Sequence, residues 1–409
     1  MNGFHIRFIN ALIGLLLLLP SDAADWPQWR YDPNRSASSP EHLPDRIALL
    51  WTRKWPARTP AWENPLNRDK MTFDRHFEPV VMGERMFVAF NDTDRLIALN
   101  AETGEEIWTY FADGPIRMPP AGWNDTVFVA SDDGYLHGVD AASGKLRWKY
   151  RGGPAAQKTL GNRRVISMWP ARGGPVVRDG KVYFAAGIWP FLGTFIYALD
   201  AASGKVEWIN DSTGPTYSMQ PHGASAFGGV APQGALVAAK DVLLVPGGRS
   251  LPAAFSRKTG KLSWFYNSGI VGGKGVGGSF VAANDQHLFV HTRKRGVHAF
   301  TLDDEKKTKL GFNGEPVLDG KMIFAAGGRS DEAYSNVVAC FGPDSWEIEV
   351  DGSGDLIRAS GRLYAAGADA ITAIDLPAEN ARPGVAWRRP IKGVVRLLAA
   401  SEKLFAVTL

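Results

Sequence analysis

The side chains in this sequence best suited to chemistry are Arg117, Trp169, Arg172, Trp189, Gln220, His222, Arg249, Lys274 and Arg329. Guanidinium forks bind carboxylates and phosphates in a fixed plane, and tryptophans make flat apolar walls. Together they describe a binding pocket for an anionic, planar or polyhydroxylated ligand. Arg172 is followed by Gly173 and Gly174, which let backbones approach closely. Its truncation is expected to weaken an anion's binding and leave the fold intact. Arg117, Arg249 and Arg329 read more readily as solvated loop charges or partners of acids such as Asp331, and Trp189 equally as an apolar cap. His222 lacks an identifiable carboxylate to orient it as a base. Lys274 lies in a glycine-rich loop with no helix behind it, so a phosphate loop is excluded. Asp92 with Asp94, and Asp132 with Asp133, are read as turn formers rather than calcium ligands. No Cys/His spacing suits zinc, so no metal site is assigned.

These residues interrupt a repeat. Residues 96–150 hold two copies of one pattern: an apolar strand ends in Asn100 or Asp140, Gly104 or Gly144 follows in a turn, and Trp108 or Trp148 arrives eight residues after the Asn or Asp. Asn or Asp bonds its own downstream backbone and glycine takes a positive φ, so the turn is a hairpin turn. The pattern returns at Asp200, Gly204 and Trp208. It loosens at Ser256 and Trp264, loses the tryptophan in the fifth copy, and ends in Trp346 and Trp387 in the sixth and seventh. Self-similarity at roughly 40 residues with four short strands per unit predicts an all-β fold, an eight-bladed β-propeller of four-stranded blades. The loop leading into each innermost strand and the loop between second and third strands open on one end of such a ring. The candidate residues therefore converge there, with the longest interruptions at residues 167–172, 188–194 and 220–233.

The ends carry separate information. Residues 1–23 have Arg7, an apolar run from Phe8 to Leu19 and small residues at Ser21 and Ala23, the layout of a secretory signal peptide. The apolar run is shorter than the ~20 residues needed to span a bilayer, so no membrane span is expected after cleavage. Periplasmic or secreted localisation follows. Residues 24–76 read as an irregular strap plus, in IALLWTRKW, the outer strand of a closing blade; residues 77–393 as seven blades; and residues 394–409 as the first strands of the eighth. The third strand of that blade is missing from the sequence, so the last blade is expected to be incomplete and the chain to be the front part of a longer protein. A formal charge of +4 on 409 residues gives no basis for a nucleic-acid partner.

The segment ALDAASGKVEW at residues 198–208, with its relatives at 97–108 and 137–148, resembles the pyrroloquinoline-quinone (PQQ) repeat. The resemblance covers nearly the whole mature chain. It implies that each tryptophan docks one blade on its neighbour. It also implies one of two functions. Quinoprotein alcohol and sugar dehydrogenases are periplasmic and use the quinone with calcium, whereas the propeller lipoprotein of the outer-membrane assembly machinery binds no quinone. Cys340 is the only cysteine, so the vicinal disulfide of many quinoproteins is absent, as is a lipobox cysteine. No counterpart of the Glu, Asn and Asp set that holds calcium is recognised. The expected function is therefore an exported ligand- or protein-binding scaffold, with a quinone-dependent alcohol or sugar dehydrogenase as the alternative.

Overall fold

A computed structural model of the chain describes residues 24–61, 73–219, 224–247, 250–265, 277–291, 296–303, 307–330, 332–342, 344–376 and 382–409. Within these residues the protein is all-β apart from one 3₁₀ turn at Pro190–Leu192. Seven successive sheets carry the meander expected from the repeat, each strand antiparallel to the next. They span Val80–Met82 to Glu106–Phe111, Ala121–Trp123 to Leu146–Arg151, Gly173–Arg178 to Val206–Asn210, Val237–Ala239 to Leu262–Trp264, Val281–Ala283 to Lys307–Phe312, Val317–Asp319 to Trp346–Ile348, and Asp355–Ala359 to Gly384–Pro390. A terminal hairpin, Val394–Ala400 with Lys403–Thr408, follows. It meets the first sheet through Ser401, whose hydroxyl donates to the Gly83 carbonyl at 2.8 Å, and through Arg396 and Glu78. The arrangement is that of a β-propeller. Inner strands are buried almost throughout, whereas outer strands alternate toward solvent, so the core lies between neighbouring sheets.

The repeated turn works as its chemistry predicts. Asn100 Oδ1 accepts from the amides of Glu102 and Thr103, and Asp140 and Asp200 accept from Ser143 and Ser203. The glycines at 104, 144 and 204 have φ near +70° and face the tryptophan of the preceding unit. The Trp108 indole donates to the Ala141 carbonyl at 3.1 Å, and that of Trp208 to Arg257 at 2.9 Å. A Cβ on Gly204 would lie 2.6 Å from Trp148 Cδ2. Gly204→Ala is therefore expected to cost about 1–3 kcal/mol, from backbone strain and a displaced ring. A denaturant melt within about 0.5 kcal/mol of wild type would refute this.

The strap is the feature that sequence periodicity shows least. Its main chain and side chains bond to the innermost strands in order around the ring. Trp26 pairs with Val81, and the carbonyl of Pro27 accepts from Gly122. Gln28 bonds both ways with Val177. The carbonyls of Pro33, Asn34, Ser36 and Ala37 accept from Ala238, Ala283, Leu318 and Arg358, and that of Ala24 accepts from Ser401. Ser38–Ser39 then runs parallel to the innermost strand of the seventh sheet. Arg30, Tyr31, Arg35 and Ala37 all take positive φ, a conformation costly for non-glycine residues. These bonds offset that cost.

Residues 47–55 differ from expectation. They carry no ladder bonds and form no strand, because an outer strand needs a third strand to pair with. Trp51 nevertheless takes the repeat position: its indole donates to the Ala101 carbonyl at 3.1 Å, and its ring lies over Gly104.

Candidate functional site

Arg117 precedes the innermost strand of the second sheet, Arg172 precedes that of the third, and Asp132 lies in the loop between second and third strands. The ring brings these loops together. Asp132 receives Arg172 Nε on Oδ1 at 2.9 Å, and Arg172 Nη2 and Arg117 Nε on Oδ2 at 2.9 and 2.7 Å. Arg117 Nη1 reaches Asp74 Oδ2 at 2.7 Å. All four residues are buried. Burial opposes ionisation of Asp132, yet the two guanidiniums win and hold its carboxyl below the usual range. Burial likewise opposes the charge on Arg117, and Asp132 and Asp74 outweigh it.

The expectation that Arg172 stands open to a ligand and tolerates truncation meets an enclosed guanidinium. Its Nη2 also donates to Asn162 Oδ1 at 2.8 Å. Asn162 sits at the turn of the hairpin formed by Lys158–Gly161 and Arg164–Ser167, and its amide donates to the Ala61 carbonyl at 2.6 Å. Arg164 of the same hairpin pairs with Asp94 of the first sheet. The hairpin thus lies across the cluster from the second sheet to the first. Within this cluster Arg172 Nη1 and Asp74 Oδ1 are buried without a hydrogen-bond partner among the described residues. Asp133 is likewise internal: its Oδ2 meets His137 Nε2 at 2.9 Å, and His137 Nδ1 meets the Tyr110 hydroxyl at 2.9 Å.

A second, largely buried group joins the terminal hairpin to the first, sixth and seventh sheets. Glu78 and Glu315 stand at equivalent places before the first and sixth innermost strands, Asp355 begins the seventh, and Arg396 comes from the terminal hairpin. Arg396 Nε bonds both Glu78 oxygens at 2.7 and 3.0 Å. Arg30 of the strap meets Glu315 at 3.1 Å and Asp355 at 3.6 Å. A cavity of about 10 Å³ lies among Arg30, Glu78, Asp355 and Arg396, room for about one water. The sequence signal for this group was the repeated Glu-Pro-Val at Glu78 and Glu315.

Burial pushes the Glu78 carboxyl up to about 7; Arg396 opposes the shift, and Glu315 and Asp355 add to it. The folded state therefore holds this proton better than the unfolded chain. Its contribution to stability is complete below the ordinary carboxyl value of 4.5 and fades as pH rises through about 7. The stability of the wild type relative to Glu78→Gln is expected to fall across that window. Thermal melts showing a pH-independent difference would contradict it.

The remaining candidates separate. Trp169 is buried, donating its indole N–H to the Leu192 carbonyl at 2.8 Å. Trp189 is half-exposed beside Phe191, with ring centroids 6.4 Å apart. Arg329 is exposed in the loop between the second and third strands of the sixth sheet, where it bridges to Phe312 of the fifth and its carbonyl accepts from Asn313 at 2.9 Å. Gln220, His222, Arg249 and Lys274 lie outside the described residues, as does the acid Asp331. Among the described residues no three His, Cys, Asp or Glu side chains form a metal-binding group, and no helix is long and apolar enough to cross a membrane. Cys340 is buried, and burial pushes its thiol up to about 11.

Around the third sheet the rim of this end is apolar. Leu160 and Val165 of the covering hairpin, Trp189 and Phe191 of the 3₁₀ loop, and Tyr217 and Phe227 of a further hairpin are each 44–82% exposed. The loops support one another: Trp169 reaches Leu192, and the Thr194 hydroxyl donates to the Val230 carbonyl at 2.7 Å.

Comparison with known proteins places this architecture. The dehydrogenase subunit of alcohol dehydrogenase (quinone) from Gluconobacter oxydans (strain 621H) is 28% identical over 178 residues, 41% of this chain and 22% of that protein. Tetrathionate hydrolase from Acidithiobacillus ferrooxidans is 27% identical over 208 residues, 48% of this chain and 35% of that protein. The chain thus spans about a fifth to a third of these relatives. Among solved structures, a quinohemoprotein alcohol dehydrogenase from Comamonas testosteroni superposes with TM-score 0.56 at 15% identity, covering 93% of this chain and 76% of its own. A europium-containing methanol dehydrogenase does so with TM-score 0.55 at 13% identity, covering 91% and 86%. The family described as outer membrane protein assembly factor BamB matches residues 48–169, 118–334 and 169–408. Repeat, sheet order and matched span agree, and the chain belongs to this family of PQQ-like repeat propellers.

Proposed function

We propose that the protein is an exported, eight-bladed binding module that docks a protein partner on the apolar rim of its third blade. The observation that carries this reading is the cluster of exposed Leu160, Trp189, Phe191, Tyr217 and Phe227 on mutually braced loops. Such rigid aromatic surface on one end of a ring is characteristic of an interaction site. The described charges beneath it are bonded to one another. The double variant Phe191→Ser, Phe227→Ser should fold normally, since both side chains are already in solvent. In paired capture from a periplasmic extract, a partner retained by wild type should fall by roughly tenfold or more with the variant. A partner bound equally by both proteins would overturn the reading.

A second reading, a quinone-dependent alcohol or sugar dehydrogenase, is favoured by the names of the relatives. A tricarboxylated quinone needs free cationic donors and its calcium needs a cage of oxygens. Arg117 and Arg172 are committed to Asp132, Asp74 and Asn162, with one nitrogen of Arg172 to spare. Glu78 is held by Arg396, and Glu315 and Asp355 by Arg30. The described donor set does not fit the group.

A further inference from the structure

A cavity of about 400 Å³ opens between the sixth and seventh sheets. Asn336 and Asp369 enter it from the loops between second and third strands, Glu349 and Asp351 from the chain leading into the seventh sheet, and Thr372 and Arg388 from that sheet's two outer strands. Asp351 is seated in advance. Its Oδ1 accepts from the Ser353 amide at 2.9 Å and its Oδ2 from the Ala368 amide at 2.8 Å. Burial opposes its charge, but these amides outweigh burial and hold the carboxyl below the usual range. Gly367 makes room for it, since a Cβ there would lie 2.7 Å from Asp351 Oδ2. Asp369 is braced by its own backbone: its carbonyl accepts from the Ile391 amide at 3.0 Å, and Lys392 reaches its carboxylate at 3.9 Å.

Other groups in this cavity have nothing to bond. Thr372 is only 6% exposed, yet its hydroxyl has no hydrogen-bond partner among the described residues. It lies directly opposite Arg388 on the neighbouring strand, which puts both side chains on one face of the sheet. The Arg388 guanidinium and the Glu349 carboxylate are exposed and make no ion pair among the described residues. None of the described lining residues is aromatic, so a flat or sugar ring would find no face to stack on. The three carboxylates, set against the cations Arg388 and Lys392, leave one negative charge uncompensated. We propose that this cavity binds a small dibasic amino acid, with its carboxylate on Arg388 and Thr372 and its two ammonium groups on Asp351 and on Glu349 with Asp369. Such a ligand carries one net positive charge. A guanidinium fork suits a carboxylate, and an ammonium brings three donors to ionised acids. Val350, Ala370 and Val385 supply apolar wall for the methylene chain. This site is separate from the rim of the third blade.

The test titrates the full chain by calorimetry with L-lysine, with cadaverine, which lacks the carboxylate, and with 6-aminohexanoate, which lacks the α-ammonium. Saturable one-to-one binding of L-lysine is expected, roughly tenfold tighter than that of either analogue. Arg388→Gln should weaken L-lysine about tenfold and leave cadaverine unchanged. Misfolding cannot imitate that pattern, because the loss follows the ligand's carboxylate. Thr372→Val keeps the side chain's shape and should weaken L-lysine severalfold. Absence of saturable binding at about 10 mM L-lysine, equal affinity for cadaverine, or an Arg388→Gln protein that binds L-lysine as the wild type does would overturn the proposal.

Discussion

Asp132→Ala is expected to lower the unfolding free energy by about 3–5 kcal/mol, the usual cost of removing one partner from a buried ion pair. Its carboxylate is the shared acceptor of Arg117 and Arg172, and both guanidiniums are buried, with little solvent to replace it. Arg117 keeps Asp74, so the larger penalty falls on Arg172, left with Asn162 alone among the described residues. Asp132→Asn keeps the shape and one acceptor oxygen and should be milder. Urea unfolding of the three proteins checks the order. A loss below about 1 kcal/mol for Asp132→Ala would place the pair in the class of surface ion pairs and refute its buried role.

Arg35→Ala is the second large effect, expected at about 3 kcal/mol or more. Arg35 is completely buried in the strap, and its guanidinium donates to the carbonyls of Leu236, Trp29 and Pro175. Burial brings its pKa down to about 9, with Asp32 opposing. Truncation leaves those carbonyls short of a donor at about 1–3 kcal/mol for each group stranded, and adds a cavity. The strap bonds the innermost strands of successive sheets, so amide hydrogen exchange should quicken at Val177, Ala238 and Ala283 as well as near residue 35. Exchange confined to the strap would contradict its part in holding the ring.

What the sequence shows and what it hides follow from physics. The Asp–Gly–Trp turn is local: Asp200, Gly204 and Trp208 sit within one hairpin, so their spacing alone gives the sheet and the seat of each tryptophan. The convergence of Arg117, Arg172 and Asp132 is legible only as a consequence of ring topology, because Arg172 and Asp132 are 40 positions apart. Their mutual neutralisation is not legible, since loop charges read the same whether solvated or buried. The strap is hidden for another reason. Its bonds run from irregular backbone with positive φ at Arg30, Tyr31, Arg35 and Ala37, and such a segment leaves no hydrophobic period. Residues 47–55 show the converse: the apolar pattern of a strand is present, but with no strand beside them among the described residues only Trp51 takes its expected place.

On the proposed function, this ring binds through its rim while its described inner charges serve one another. Calorimetric titration of the purified protein with PQQ and calcium, followed by a dye-linked alcohol oxidation assay, tests it most directly. No saturable heat at micromolar quinone and no dye reduction are expected. Saturable one-to-one binding accompanied by alcohol-dependent dye reduction would contradict it and establish the dehydrogenase reading.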